Sequence, residues 1–256
     1  MGKVRTLVIR APGTNCDAET VFAFQQAGSE VALIHVNQLI RHRERLDDYH
    51  ILVIPGGFTY GDDIAAGKVL ANELRLKLGE DILRFIEDGK LILGICNGFQ
   101  VLAKAGFLPA FSEDGSLLLT VTTNDSGRFE CRWVHLSVNR ESTCVFTRGI
   151  DRMYLPVAHA EGKVVVLSGA LTEQNVALFY ADEHGDISAR YPHNPNGSVG
   201  NVAGICDRSG RVFGLMPHPE RYIRGTQHPQ WTRLGAKEYG DGLQIFRNAV
   251  DWAEHL

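Results

Sequence analysis

One segment of the 256-residue chain has the residue types and spacing of a nucleophile. The apolar run Leu91-Ile92-Leu93 leads into Gly94-Ile95-Cys96-Asn97-Gly98, and a short helical segment follows, ended by Gly106. This is the G-x-S-x-G nucleophile elbow with Cys in place of Ser. A sharp strand-to-helix turn brings backbone too close for a Cβ on either side of the nucleophile, so it needs the two glycines. The turn holds the thiol at the C-terminal edge of a sheet, where open α/β folds place their ligands. It also lies at a helix N-terminus, whose partial positive charge favours thiolate over thiol.

A thiolate nucleophile needs a base, a group that orients the base, and donors for the developing oxyanion. Among ten histidines, His218 stands out in Val212-Phe-Gly-Leu-Met-Pro-His-Pro-Glu-Arg221. A buried strand ends at Pro217, and two prolines restrict the backbone. The H-x-E spacing lets His218 and Glu220 point to the same side of an extended segment. Glu220 would then fix the imidazole tautomer and support the imidazolium. Another strand ends at Pro55, after which Gly56-Gly57 can present N–H groups with no side chain in the way; the N–H of Asn97 is a second donor. Alone, His-Pro-Glu reads as an exposed turn and Pro-Gly-Gly as a simple one. Their joint presence, each at a strand end, points to a Cys96–His218–Glu220 triad with Gly57 and Asn97 at the oxyanion.

These positions need a sheet to hold them. Val4–Arg10, Val31–Val36, Ile51–Ile54 and Leu91–Ile95 read as buried strands, and Asp17–Ala27 and Ala66–Asp88 as helices closed by Gly28 and Gly89. The alternation predicts an α/β fold, an open, mostly parallel sheet with helices on both faces. In the second half, Leu117–Thr122, Cys131–Val138, Lys163–Leu167, Val176–Tyr180, Val202–Cys206 and Val212–Met216 are short and closely spaced. They predict an added antiparallel ribbon or smaller sheet, and Gly242–Glu254 a last amphipathic helix. No Pro-, Gly- or Ser-rich linker divides the halves, so a single domain over 1–256 is expected.

Composition narrows the function. With 26 Lys+Arg against 30 Asp+Glu, 22% charged and 44% hydrophobic residues, the chain matches ordinary globular proteins and excludes a disordered or fibrous one. The near-neutral balance argues against nucleic acid as a partner, and no apolar run approaches the roughly 20 residues that span a bilayer. Met1-Gly2-Lys3-Val4-Arg5 leads straight into a strand, not into a signal-peptide core, so a cytoplasmic protein is expected. Five cysteines without a C-x-x-C pair fit neither a disulfide framework nor a zinc ribbon, and the four other than Cys96 read as packing.

Pro55-Gly56-Gly57, Gly94–Gln100 and His218-Pro219-Glu220 together resemble the class I, triad-type glutamine amidotransferases, whose sheet is flavodoxin-like. Further motifs are similar to those of glutaminase subunits of phosphoribosylformylglycinamidine synthases: Pro12-Gly13-Thr14-Asn15-Cys16-Asp17, Gly56–Asp62, Arg128–Arg132, Ala158-His159-Ala160-Glu161-Gly162, Asn194–Ser198 and Leu215–Arg221. The resemblance runs from near residue 5 to the C-terminus. It implies that L-glutamine is hydrolysed to glutamate and ammonia through a γ-glutamyl thioester on Cys96, with His218 shuttling protons and Glu220 orienting it. It implies that Gln100 helps to hold glutamine, and that Arg128–Arg132 lies where relatives grip its amino-acid end. It also implies no metal or cofactor in this chain. ATP and Mg would be used by a separate synthetase subunit, joined by a small bridging subunit, which converts formylglycinamide ribonucleotide to its amidine.

The residues agree by what they lack. Gly61-Asp-Asp-Ile-Ala-Ala-Gly67-Lys68-Val69 has one residue too many between its glycines for a P-loop, and Val where a hydroxyl must reach magnesium. A freestanding cysteine hydrolase of γ-glutamyl or peptide bonds would not need the stretches around Arg128–Arg132 and Asn194–Ser198, and a catalytically silent interaction subunit would not need the triad. Both His159-Ala160-Glu161 and His218-Pro219-Glu220 have the H-x-E spacing of zinc deaminases, but the P-C-x-x-C partner is missing. For His159 and Glu161, a satisfied pair near a turn and a role at a partner interface stay open, as do a structural cover and a docking surface for Arg224–Asp241.

Overall fold

The computed structural model describes residues 3–109, 116–187 and 190–256; Met1 and Gly2 of the expected leaderless start lie outside them. The strands are β1 (Arg5–Arg10), β2 (Glu30–His35), β3 (Ile51–Ile54), β4 (Leu91–Ile95), β5 (Leu119–Thr123), β6 (Glu130–Val138), β7 (Arg152–His159), β8 (Glu161–Val166), β9 (Val176–Ala181), β10 (Val202–Cys206) and β11 (Val212–Leu215). The helices are α1 (Asp17–Gln26), α2 (Val36–Ile40), α3 (Lys68–Glu87), α4 (Asn97–Ala105), α5 (Trp231–Leu234) and α6 (Leu243–Ala253).

Nine strands form one sheet in the order β2-β1-β3-β4-β11-β10-β9-β6-β7, and β5 pairs with β8 in a second. From β2 to β11 all pairings are parallel; from β11 outward to β7 all are antiparallel. The β1–α1–β2 crossover moves one way along the sheet and β3–α3–β4 the other. Right-handed connections therefore put α1 and α3 on opposite faces, and β3 and β4 are buried at every residue. Buried side chains form one core cluster that runs from Val4 to Ala253. No helix among the described residues is long and apolar enough to cross a membrane.

The second half departs from the expected ribbon in two ways. β11, grouped by its spacing with the antiparallel strands, pairs in parallel with β4, Leu215 opposite Ile95. Being buried on both faces, Val212–Leu215 suits an interior position, and four residues carry no sign of strand direction. β7 has no counterpart among the expected strands. Pro156 interrupts its pattern, yet β7 is the sheet edge, where proline is tolerated. Arg224–Asp241 lies against this edge as a cover. His228 packs among Trp133, Tyr154 and Tyr222, and the Asp241 carboxylate accepts the Tyr154 N–H at 3.0 Å.

Candidate active site

The nucleophile turn is built by steric exclusion. A Cβ on Gly98 would lie 1.8 Å from the Ile54 carbonyl oxygen, and one on Gly94 would lie 2.7 Å from the backbone of Gly98. Strand β3, strand β4 and helix α4 therefore meet closely enough to force Cys96 to φ 51° and ψ −103°, left-handed backbone that an L-residue adopts only when its surroundings over-determine it. The Cys96 N–H donates to the Leu215 carbonyl at 2.8 Å, and its carbonyl accepts from Gln100 N–H in the first turn of α4. The thiol thus sits at the positive end of α4.

Because β11 runs parallel to β4, the chain leaving Leu215 emerges beside Cys96. His218 and Glu220 follow, both about 1% exposed, with His218 Nδ1 and Glu220 Oε1 2.6 Å apart. The contact comes from a 3₁₀ turn over Pro219–Arg221, not from the extended segment the H-x-E spacing suggested. Proline begins that turn, and the bend brings Glu220 back under the ring. The His218 N–H is anchored on the Pro156 carbonyl at 2.8 Å, so the edge strand β7 positions this residue. Burial opposes charge on the imidazole, but Glu220 and then the Cys96 sulfur outweigh it and raise its pKa well above the usual histidine value. Nδ1 is engaged by Glu220, and Nε2 is buried without a hydrogen-bond partner, so it is the ring atom left to move a proton.

The Gly56-Gly57 segment is laid against Pro12–Cys16. Asn15 and Cys16 N–H donate to the Gly56 carbonyl at 3.4 and 3.2 Å, Phe58 N–H to Gly13 at 2.9 Å and Tyr60 N–H to Pro12 at 2.7 Å. A trans peptide is planar, so holding the Gly56 carbonyl toward this loop turns the Gly57 N–H away from it. A Cβ on Gly57 would lie within 2.9 Å of three backbone atoms of Gly13, Thr14 and Asn15. The Asn97 side chain ties this loop to the Cys96 turn. Its Oδ1 accepts from Thr59 Oγ1 at 2.6 Å, and its Nδ2 donates to Asp62 at 3.1 Å and to Gln100 at 2.9 Å. Gln100 in turn donates to the Glu161 carbonyl at 2.5 Å, fixing the corner that follows β7.

His159 and Glu161 face different partners, so they do not act as one H-x-E unit. His159 Nδ1 pairs with Asn124 Oδ1 at 3.1 Å, and burial, aided by the charge on His218, pushes its pKa down to about 3. The ring is neutral. The Glu161 carboxylate accepts the Ala66 N–H and the ammonium of buried Lys104, both at 3.3 Å, and Lys104 also reaches the Ala66 carbonyl at 2.6 Å. In the Arg128–Arg132 segment, Arg132 pairs with buried Glu130 at 2.5 Å and with the Tyr191 hydroxyl at 2.8 Å. Thr59, Asp62 and Arg221 fall within the quoted motifs but with no role read for them, and Lys104 carried no signal, because Asn97, Cys16 and Glu161, which they meet, are distant in sequence. Cys16, read from the sequence as packing, is buried against His218 and Arg221. Cys144 and Cys206 are also buried, and the Cys206 thiol donates to the Gln174 carbonyl at 3.6 Å; Cys131 is exposed.

A phosphoribosylformylglycinamidine synthase subunit PurQ from Dehalococcoides mccartyi is 57% identical over the whole of both chains. The subunit of the same name from Archaeoglobus fulgidus is 46% identical, over 99% of this chain and 98% of its own. In the structure of PurLQS from Thermotoga maritima, one chain superposes with a TM-score of 0.73 at 33% identity, covering 98% of this chain and 99% of that one. A putative GMP synthase subunit from Thermoplasma acidophilum, at 18% identity and a TM-score of 0.59, shares the fold. The model of the CobB/CobQ-like glutamine amidotransferase domain matches residues 3–253, and with the cysteine elbow and its facing histidine already in place, the chain belongs to that family.

Proposed function

We propose that this chain is the glutaminase subunit of a phosphoribosylformylglycinamidine synthase, hydrolysing L-glutamine at Cys96 and passing ammonia to an ATP-dependent synthetase. The Cys96 sulfur attacks the side-chain amide carbon, and the oxyanion is held by the N–H groups of Gly57 and Asn97. His218 Nε2–H protonates the departing nitrogen as the carbon–nitrogen bond breaks, leaving ammonia and a γ-glutamyl thioester. Water then gives a proton to Nε2 and attacks the thioester, releasing glutamate and regenerating the sulfur. Glu220 keeps Nδ1 protonated and supports the imidazolium in both steps. Gln100 helps to seat the substrate through the corner it braces. Formylglycinamide ribonucleotide, ATP and Mg belong to the synthetase partner, and a small bridging subunit completes the assembly in the cytoplasm.

The observation that carries this reading is the adjacency of β4 and β11, which sets the thiol on its strained turn beside the buried His218–Glu220 pair. The extent of the match to the PurQ subunits supports the pathway. The test is glutamine hydrolysis by the chain with and without the synthetase. Full ammonia production by Cys96→Ser, or its loss to chelators, would overturn the triad. Normal glutamine-dependent amidine synthesis by a complex assembled without this chain would overturn the pathway, and assembly with and without the small subunit decides its role.

A further inference from the structure

Behind the His218–Glu220 pair lies a second layer that the reaction scheme does not use. The Cys16 thiol is fully buried, and its sulfur, a His218 ring nitrogen and a Glu220 oxygen all lie within 4.8 Å of one another. A Cβ on Gly56 would meet His218 Cε1 at 2.9 Å and the Cys16 sulfur at 3.1 Å, so the ring and the thiol close on the same point of the Gly-Gly segment. Both hydrogen-bonding roles of the thiol are filled. It donates to Asn15 Oδ1 at 3.2 Å and accepts from Arg221 Nη2 at 3.0 Å. Arg221 also stands at ion-pair distance from the catalytic carboxylate, beyond hydrogen-bonding reach, with its Nε 3.9 Å from Glu220 Oε1. The second carboxylate oxygen, Glu220 Oε2, is buried and has no hydrogen-bond partner.

An arginine beside a buried, half-satisfied carboxylate would ordinarily close on it in a bidentate pair. Here the guanidinium is turned onto a sulfur instead. We propose that Cys16 is a positioning residue: by accepting the Arg221 guanidinium it keeps that cation out of hydrogen-bonding contact with Glu220 and leaves most of the carboxylate's charge to act on His218. This rests on the reading of Cys96, His218 and Glu220 as the catalytic set. The consequence is electrostatic. A carboxylate neutralised by Arg221 supports the imidazolium less, so His218 binds its proton more weakly and the sulfur loses part of its counter-charge. The ionisable groups acting on the ring are Glu220, Cys96 and Cys16, with His159 contributing across the site and Arg221 coupled to the same cluster.

The test follows the His218 ring by nitrogen NMR in the full-length protein, the signal assigned by its loss in His218→Asn, together with glutamine turnover in the complex with the synthetase. Cys16→Ala is expected to lower the His218 titration midpoint by about one pH unit and kcat/KM for glutamine about tenfold, carried by kcat. Cys16→Ser keeps an acceptor for Arg221 and should hold the midpoint near that of the unmodified chain. Cys16→Ala combined with Arg221→Met removes the intruding cation and should return the midpoint, which loss of packing alone would not do. An unmoved midpoint in Cys16→Ala, a serine variant that behaves like alanine, or a shift that Arg221→Met leaves in place would each overturn the proposal. The NMR midpoint needs no turnover, so a chain that fails to hydrolyse glutamine but shows these shifts would count against the parent reading alone.

Discussion

Cys96 is held at φ 51° and ψ −103°, a conformation that costs an L-residue on the order of 1–3 kcal/mol and that glycine adopts more readily. Two variants separate this strain from the chemistry. Cys96→Ala and Cys96→Gly both lose glutamine hydrolysis, by on the order of 10³-fold or more, but Cys96→Gly should resist urea better than Cys96→Ala by about 1 kcal/mol. Equal stabilities would mean that the turn is not strained. His159 makes a prediction of opposite character. It stays neutral in the folded protein down to a pKa of about 3, whereas the unfolded chain protonates it near the ordinary value of about 6.5. Stability is therefore lost as pH falls through that window, at up to about 1.4 kcal/mol per unit. Between pH 7 and pH 5, urea denaturation should show the unmodified chain losing about 2 kcal/mol more than His159→Asn.

At the scale of elements, the loop from Gly56 to Gly67 is clamped at both ends, by Pro12–Cys16 on one side and by the Lys104–Glu161 pair on the other. Lys104 is only 7% exposed, so an unpaired ammonium there is costly. Glu161→Ala should destabilise the chain by about 3 kcal/mol in chemical denaturation, whereas the double change Lys104→Met with Glu161→Gln should recover most of that loss. A double variant as unstable as the single one would show that the Lys104 ammonium matters through its bond to the Ala66 carbonyl and not through Glu161. These contacts mark the limit of what the sequence discloses. The elbow, the Gly-Gly and the His-Pro-Glu were legible because each is a local pattern with its own steric reason. The clamp was not, because Lys104, Ala66 and Glu161 meet only after α4, the loop and β8 have packed. The same holds for the strands. β3 and β4 announce themselves as unbroken apolar runs and β1 by the shorter run at 7–9, while β7 hides behind Pro156 and β11 shows its presence but not its direction.

For the whole molecule, the proposed function puts the hydrolytic site and the synthetase's chemistry in different chains, so a damaged site should uncouple them cleanly. In the assembled complex, Cys96→Ala is expected to abolish amidine formation from glutamine and to leave formation from added ammonia near the level of the unmodified complex. Loss of both would place Cys96 in the assembly interface or the shared fold instead.

The order of the strands also bears on how the protein is made. β4 emerges early in synthesis, yet the neighbour it needs on one side, β11, is the last strand of the sheet, with four of the sheet's strands made in between. Until it inserts, the nascent chain holds two incomplete half-sheets with unpaired edges and a thiol that has neither its Leu215 anchor nor its base. A ribosome stalled before Val212 would thus release an aggregation-prone, unreactive fragment, and reactivity at Cys96 would arise only with the closing step of folding.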